Sequence, residues 1–156
     1  MVGSRSSGSA DRSGARGGPD GTRSFPSVTQ PSGLTLDAGA LIAIERGDRR
    51  LRVLLDEAEA IGWPIVVPVG PLAQVWRDGA RQAVLARFLN ATDRVEIVEW
   101  DTATARAAGV LCGRTGTSDV VDASVVLCAR ERNHHVATSD PRDFEVLDAK
   151  LSVIIV

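Results

Sequence analysis

The sequence predicts a three-layer α/β/α fold built on a central parallel sheet, and three observations predict it. Short β-branched or apolar runs recur through residues 34–156, each separated from the next by helical stretches. No segment repeats, and the 123 residues of 34–156 suit one domain. Hydrophobic residues are 44% and charged residues 24%, enough apolar material for a packed core. Strands joined by helical crossovers run parallel, with helices covering both faces of the sheet.

Residues 34–36 read as a first strand and 38–45 as a helix carrying Leu41, Ile42 and Ile44. Gly47-Asp48 breaks that helix, and Asp48 can cap a second one running to about Ala60. Gly62-Trp63-Pro64 is a turn before the β-branched strand 65–68. Helices follow over 69–78 and 80–90, split at Gly79, and then a strand over 95–98. Asp101 caps a helix through about Leu111, and 113–117 reads as a loop. A long apolar helix covers 119–133, a strand 135–138, a short Pro-led helix 141–147, and a closing strand 153–156.

Composition divides the chain into a leader, 1–33, and a body, 34–156. The leader holds seven Gly, eight Ser and three Pro, too little apolar surface to offset its ordering entropy, so it is expected to be disordered. Its four Arg and two Asp take the net charge from −2 for the chain to −4 for the body. An acidic body excludes nucleic-acid binding by bulk positive charge, but not an enzyme that holds cations over carboxylates. The leader lacks the apolar stretch of a secretory signal, and no apolar run approaches a membrane span. Cys112 and Cys128 show no metal-type spacing, and two buried thiols in a reducing cytoplasm or one disulfide would both account for them. A cytoplasmic location is expected.

Acids recur where strands end, the edge at which parallel sheets build their crevices. Asp37 ends the first strand in LTLDAGAL and Asp140 the fourth in HVATSDPRDF. Asp119 and Asp122 open the long helix, one turn apart on one face. Each alone reads equally as a helix cap. Together, three or four crowded carboxylates repel unless a hard cation lies between them, and Mg²⁺ or Mn²⁺ prefers such oxygen ligands. With no nucleophile and base set beside them, the acids point to metal-assisted phosphodiester chemistry.

LTLDAGALIAIERGD, then SDVVDASVVLCARERNHHVATSDPRDFEVL, with 18 residues between Asp122 and Asp140, resemble PIN-domain nucleases and among them the VapC-type toxins. The resemblance covers the body and implies a PIN fold, Mg²⁺ or Mn²⁺ dependence and endonucleolytic cleavage of RNA. It places Asp37, Asp122 and Asp140 on three of the family's acidic positions, catalytic and metal-binding, and Asp119, one helical turn from Asp122, is a further candidate metal ligand. It also implies a toxin neutralised by a small antitoxin protein and assembled as a homodimer. One position departs: in PVGPLAQVWRDG, Gln74 stands where the family supplies Glu. Asp119 or Glu45 could supply the missing charge, with Asp119 the better candidate and Glu45 read first as a solvated residue of the ERGDRR turn. Gln74, Glu45, Thr138, Ser139 and Arg77 are the candidate substrate-positioning residues. The other reading is a PIN-like module that binds RNA or protein without cutting.

The remaining features have plain readings. Arg46, Arg49, Arg50 and Arg52 are either a phosphate track or surface arginines paired with Asp48, Asp56 or Glu57. Trp76 is expected in the core, and His134-His135 is expected to be structural. A receiver-type or dehalogenase-type phosphotransfer pocket is disfavoured, because LDAGA lacks a second Asp and Lys150 is the only lysine.

Overall fold

A computed structural model describes residues 29–78, 82–91 and 93–156. Five strands and seven helices follow in the order β1 (Leu34–Leu36), α1 (Ala38–Arg46), α2 (Arg49–Ala60), β2 (Ile65–Pro68), α3 (Val69–Val75), α4 (Ala83–Leu89), β3 (Val95–Val98), α5 (Thr102–Thr115), α6 (Val120–Arg132), β4 (His135–Thr138), α7 (Pro141–Leu147) and β5 (Val153–Ile155). The sheet order is β3-β2-β1-β4-β5 and every pairing is parallel. The three-layer α/β/α prediction therefore holds. Residues 1–28 of the leader and the break at Gly79 lie outside the described residues. Residues at the leader's end are tied to the body: the Asn133 side chain donates to the carbonyls of Thr29 and Gln30, and Ser32 N donates to Asn133 O.

The pleat sends alternate side chains to two cores. Leu34 and Leu36 of β1 pack with Leu41, Leu51 and Leu85 on one face. Val136 of β4 packs with Val125, Val126 and Phe144 on the other. Helices α1, α2 and α4 cover the first face, and α5, α6 and α7 the second.

Two sequence expectations are corrected here. Helix α5 does not stop near Leu111 but continues through Gly113 to Thr115. Gly113 keeps a helical backbone, and Gly116, at φ 73°, ends the helix in the left-handed conformation. Trp76 is not core: it is 39% exposed at the end of α3. The two cysteines are free and buried. His134 is buried within reach of the Thr35 hydroxyl and His135 stacks on Trp63, so both histidines are structural.

The close approach of α3 to α6 depends on Gly70. A Cβ there would lie 2.7 Å from Trp100 Cζ2 and 3.1 Å from Val121 Cγ1. Gly70→Ala is expected to destabilise the fold by about 1–3 kcal/mol through overpacking. Chemical denaturation checks this, and an unchanged midpoint would contradict the packing.

Candidate functional site

The parallel register sets β1 beside β4, with Leu36 opposite Ala137. The residues just beyond those strands, Asp37 and Asp140, therefore share one edge of the sheet. Each also starts a helix. Asp37 Oδ1 accepts from Ala40 N at 2.6 Å at the head of α1, and Asp140 Oδ1 accepts from Arg142 N at 3.2 Å at the head of α7. Asp119 Oδ1 accepts from Val121 N and Asp122 N at the head of α6. The capping reading thus holds for all three acids. Each of the three stands at a helix N-terminus, where the helix dipole favours negative charge.

Thr138 joins the two strand-end acids. Its hydroxyl donates to Asp37 Oδ2 at 2.5 Å and accepts from Asp140 N at 3.0 Å. Asp37 is 6% exposed and has a bond at each oxygen. Burial pushes its carboxyl above the usual range, against the bonds from Thr138, Ala40 and Gly39 that lower it. Ser139 is exposed, yet its hydroxyl is set against the first turn of α1: a Cβ on Gly39 would lie 2.2 Å from Ser139 Oγ.

Asp122 carries the strongest electrostatic signature. Its carboxyl is pushed up to about 7, first by burial and then by the charges of Asp119, Asp143, Asp37 and Asp140. That set draws Asp37, Asp119, Asp122 and Asp140 into one cluster. It also adds Asp143, which the sequence reading missed. The signal was available: Asp143 follows Asp140 by one helical turn, the spacing that flagged Asp119 and Asp122.

Three other predicted residues lie elsewhere. Glu45 is not a solvated residue: its carboxylate accepts from Leu85 N at 2.9 Å and caps α4. Gln74, on the exposed face of α3, lines a separate cleft with Glu45, Arg46 and Arg77. Arg77 donates to the carbonyls of Trp76 and Ala73. Glu45→Ala is expected to cost about 0.5–2 kcal/mol, as loss of a cap does. Thermal melts check the size, and isothermal titration with Mn²⁺ is expected to give unchanged affinity.

The donors at the cluster are all carboxylate oxygens, the chemistry of a hard divalent cation. Crowding of like charges at Asp122 is what such a cation would relieve. Among the described residues no three His, Cys, Asp or Glu side chains are gathered tightly around a single point. The cluster matches a cation in donor type and charge, and not as a finished cage.

A model of the PIN domain family matches residues 34–150. Among solved structures, the chain is similar to VapBC2 from Rickettsia felis bound to a promoter DNA fragment, with a TM-score of 0.61, 18% identity, and coverage of 79% of this chain and 98% of that one. It is similar to DNA-bound VapBC from Salmonella typhimurium, with a TM-score of 0.59, 19% identity, and coverage of 79% and 97%. A toxin–antitoxin complex from Klebsiella pneumoniae gives a TM-score of 0.59, 17% identity, and coverage of 78% and 95%. No curated protein is a significant match to the sequence.

Proposed function

We propose, because the chain belongs to the PIN domain family, that it is a divalent-metal-dependent endoribonuclease and the toxin of a toxin–antitoxin pair. The observation that carries the reading is the cluster at the ends of β1 and β4, where four further carboxylates act on Asp122. Asp37, Asp122 and Asp140 are the catalytic acids, and with Asp119 they would hold Mg²⁺ or Mn²⁺. When bound, the cation lowers the pKa of a water and offsets charge developing on the phosphate. Thr138 holds the Asp37 carboxylate in one orientation and ties it to the backbone of Asp140. Asp119 and Asp140 each keep one oxygen clear of the capping bond, available to an ion. Ser139, which follows β4 and packs against Gly39 of α1, would donate to a phosphate oxygen of the substrate.

A small antitoxin protein as inhibitor, assembly as a homodimer and a cytoplasmic location belong to the same reading. The resemblance of the fold to proteins solved as toxin–antitoxin complexes supports the first of these. No helix among the described residues is long and apolar enough to cross a membrane.

The test is cleavage of total and synthetic single-stranded RNA by the purified protein with Mn²⁺ or Mg²⁺, with and without EDTA. Cleavage that EDTA stops supports the assignment. A folded sample that binds Mn²⁺ and RNA but cuts none would replace it with a binding module.

A further inference from the structure

The second cleft, between α1, α3 and α4, has a volume of about 320 Å³. Its apolar surface comes from Ile42 and Val75, backed by the buried Leu41 and Leu85. Leu41 lies one helical turn from Asp37 and Arg46 at the far end of α1, so the cleft begins about 6 Å along the helix from the acid cluster and ends about 13 Å along it. These separations match one to two nucleotide steps of an extended strand.

The polar groups at its rim divide into committed and free. Glu45 is held by Leu85 N. Gln82 is held by Arg77 N, Asp78 N and Val75 O. The Gln74 amide, which carries both a donor and an acceptor, has no side-chain hydrogen-bond partner among the described residues, and neither has the exposed Arg46 guanidinium. Arg77 uses one terminal nitrogen on backbone carbonyls, which fixes its side chain at the rim with its charge unpaired. Arg49, Arg50 and Arg52, just beyond Arg46, are exposed and form no ion pair among the described residues. Asp48 caps α2 through one carboxylate oxygen and forms no ion pair with these arginines among the described residues.

We propose that this cleft is a nucleotide subsite for the strand being cut: the apolar floor takes one base, the Gln74 amide reads its edge, and Arg46 and Arg77 hold the adjoining phosphates. The inference rests on the ribonuclease reading for its substrate. Charge complementarity selects the occupant. An acid cluster repels the backbone it must act on, and two unpaired cations one helix-length away supply the attraction that holds it. An unstacked base on an apolar surface with one amide at its edge is the usual way single strands are read. Gln74 is then a specificity residue rather than a degraded metal ligand.

The experiment measures binding, so that it does not depend on cleavage. Fluorescence anisotropy with labelled ten-nucleotide single-stranded RNAs, as four homopolymers and one mixed sequence, is followed across a salt series. Arg46→Ala with Arg77→Ala is expected to weaken binding to all five RNAs at least about tenfold and to lower the salt slope by about 1–2. Arg46→Lys with Arg77→Lys is expected to restore most of the slope, which a purely structural role of Arg77 would not allow. Gln74→Ala is expected to leave the slope unchanged and to narrow the differences among the homopolymers. Wild-type affinity and slope in the double alanine variant would overturn the proposal. So would loss of antitoxin binding in that variant with RNA binding intact, which would make the cleft a protein-docking surface. A wild-type protein that binds these RNAs without cutting them would sink the nuclease reading and leave the subsite standing.

Discussion

Asp37→Asn, Asp122→Asn and Asp140→Asn are each expected to lower metal-dependent RNA cleavage by more than about 100-fold. Changes to groups that merely orient a metal ligand already cost about 10–100-fold, and these three would be the ligands themselves. Asparagine is the informative replacement because it caps a helix as well as aspartate does, so α1 and α7 keep their N-terminal bonds. It removes only the charge and, at position 37, an oxygen that accepts from Thr138. Thr138→Val then separates ligand from orienting group: it is expected to cost about 10–100-fold while Asp37 itself stays in place. Initial rates in Mn²⁺ check both. Full cleavage by Asp140→Asn or Asp122→Asn would remove the cluster from the mechanism.

Without metal the same cluster is expected to weaken the fold as pH rises. Asp122 goes from 3.8 to about 7 on folding, chiefly because burial disfavours its charge. A carboxyl raised in this way adds stability that is fully present below its unfolded value and is lost as pH climbs through its folded value. Asp37, raised by burial, acts in the same direction. Asp148 and Asp101 are lowered, chiefly by hydrogen bonds, and act oppositely, but only in the acid range below about pH 4. The window of loss for metal-free protein is therefore pH 4 to above 7. A fully buried group with this shift would contribute about 4 kcal/mol. Asp122 is half-buried, and solvent screening reduces its share to about 1–2 kcal/mol.

About half of that loss falls above pH 5.5, so a Tm higher by roughly 2–5 °C at pH 5.5 than at pH 8 is expected in EDTA. Mn²⁺ at pH 8 is expected to restore most of it by binding only the folded state. Asp122→Asn is expected to raise the metal-free Tm at pH 8 while abolishing the Mn²⁺ response. The acid centre thus costs stability in the empty protein, and one substitution exchanges function for it. A flat Tm across this range, equal in wild type and Asp122→Asn, would show that the Asp122 carboxyl is not strained.

The departure at Gln74 takes on a different meaning beside these results. In the sequence it reads as a missing acid that Glu45 or Asp119 must replace. In the fold, Glu45 is occupied 40 residues along the chain at the head of α4, and Asp119 sits in the cluster with Asp143 as a further acid beside it. Asp119 and Asp143 stand at the starts of α6 and α7, where helix dipoles offset part of their repulsion.

Local chemistry is what the sequence by itself determined. The β-branched runs at 65–68 and 135–138, the caps Asp48, Asp101 and Asp119, and the Pro-led start of α7 all lie where nearest neighbours place them. The alternation of strand and helix then required a parallel sheet, and that put Asp37 and Asp140 on one edge. The end of α5 was less legible, because a glycine can continue a helix or stop it, and only the left-handed backbone at Gly116 distinguishes it from Gly113. Tertiary structure alone decided the rest: that Trp76 faces solvent, that Glu45 caps a distant helix, and that Asp122 is half-buried and acted on by four other acids. The physical reason is range. Caps and strand propensities act over three or four residues, whereas burial and charge repulsion depend on every group within several ångströms, whatever its distance along the chain.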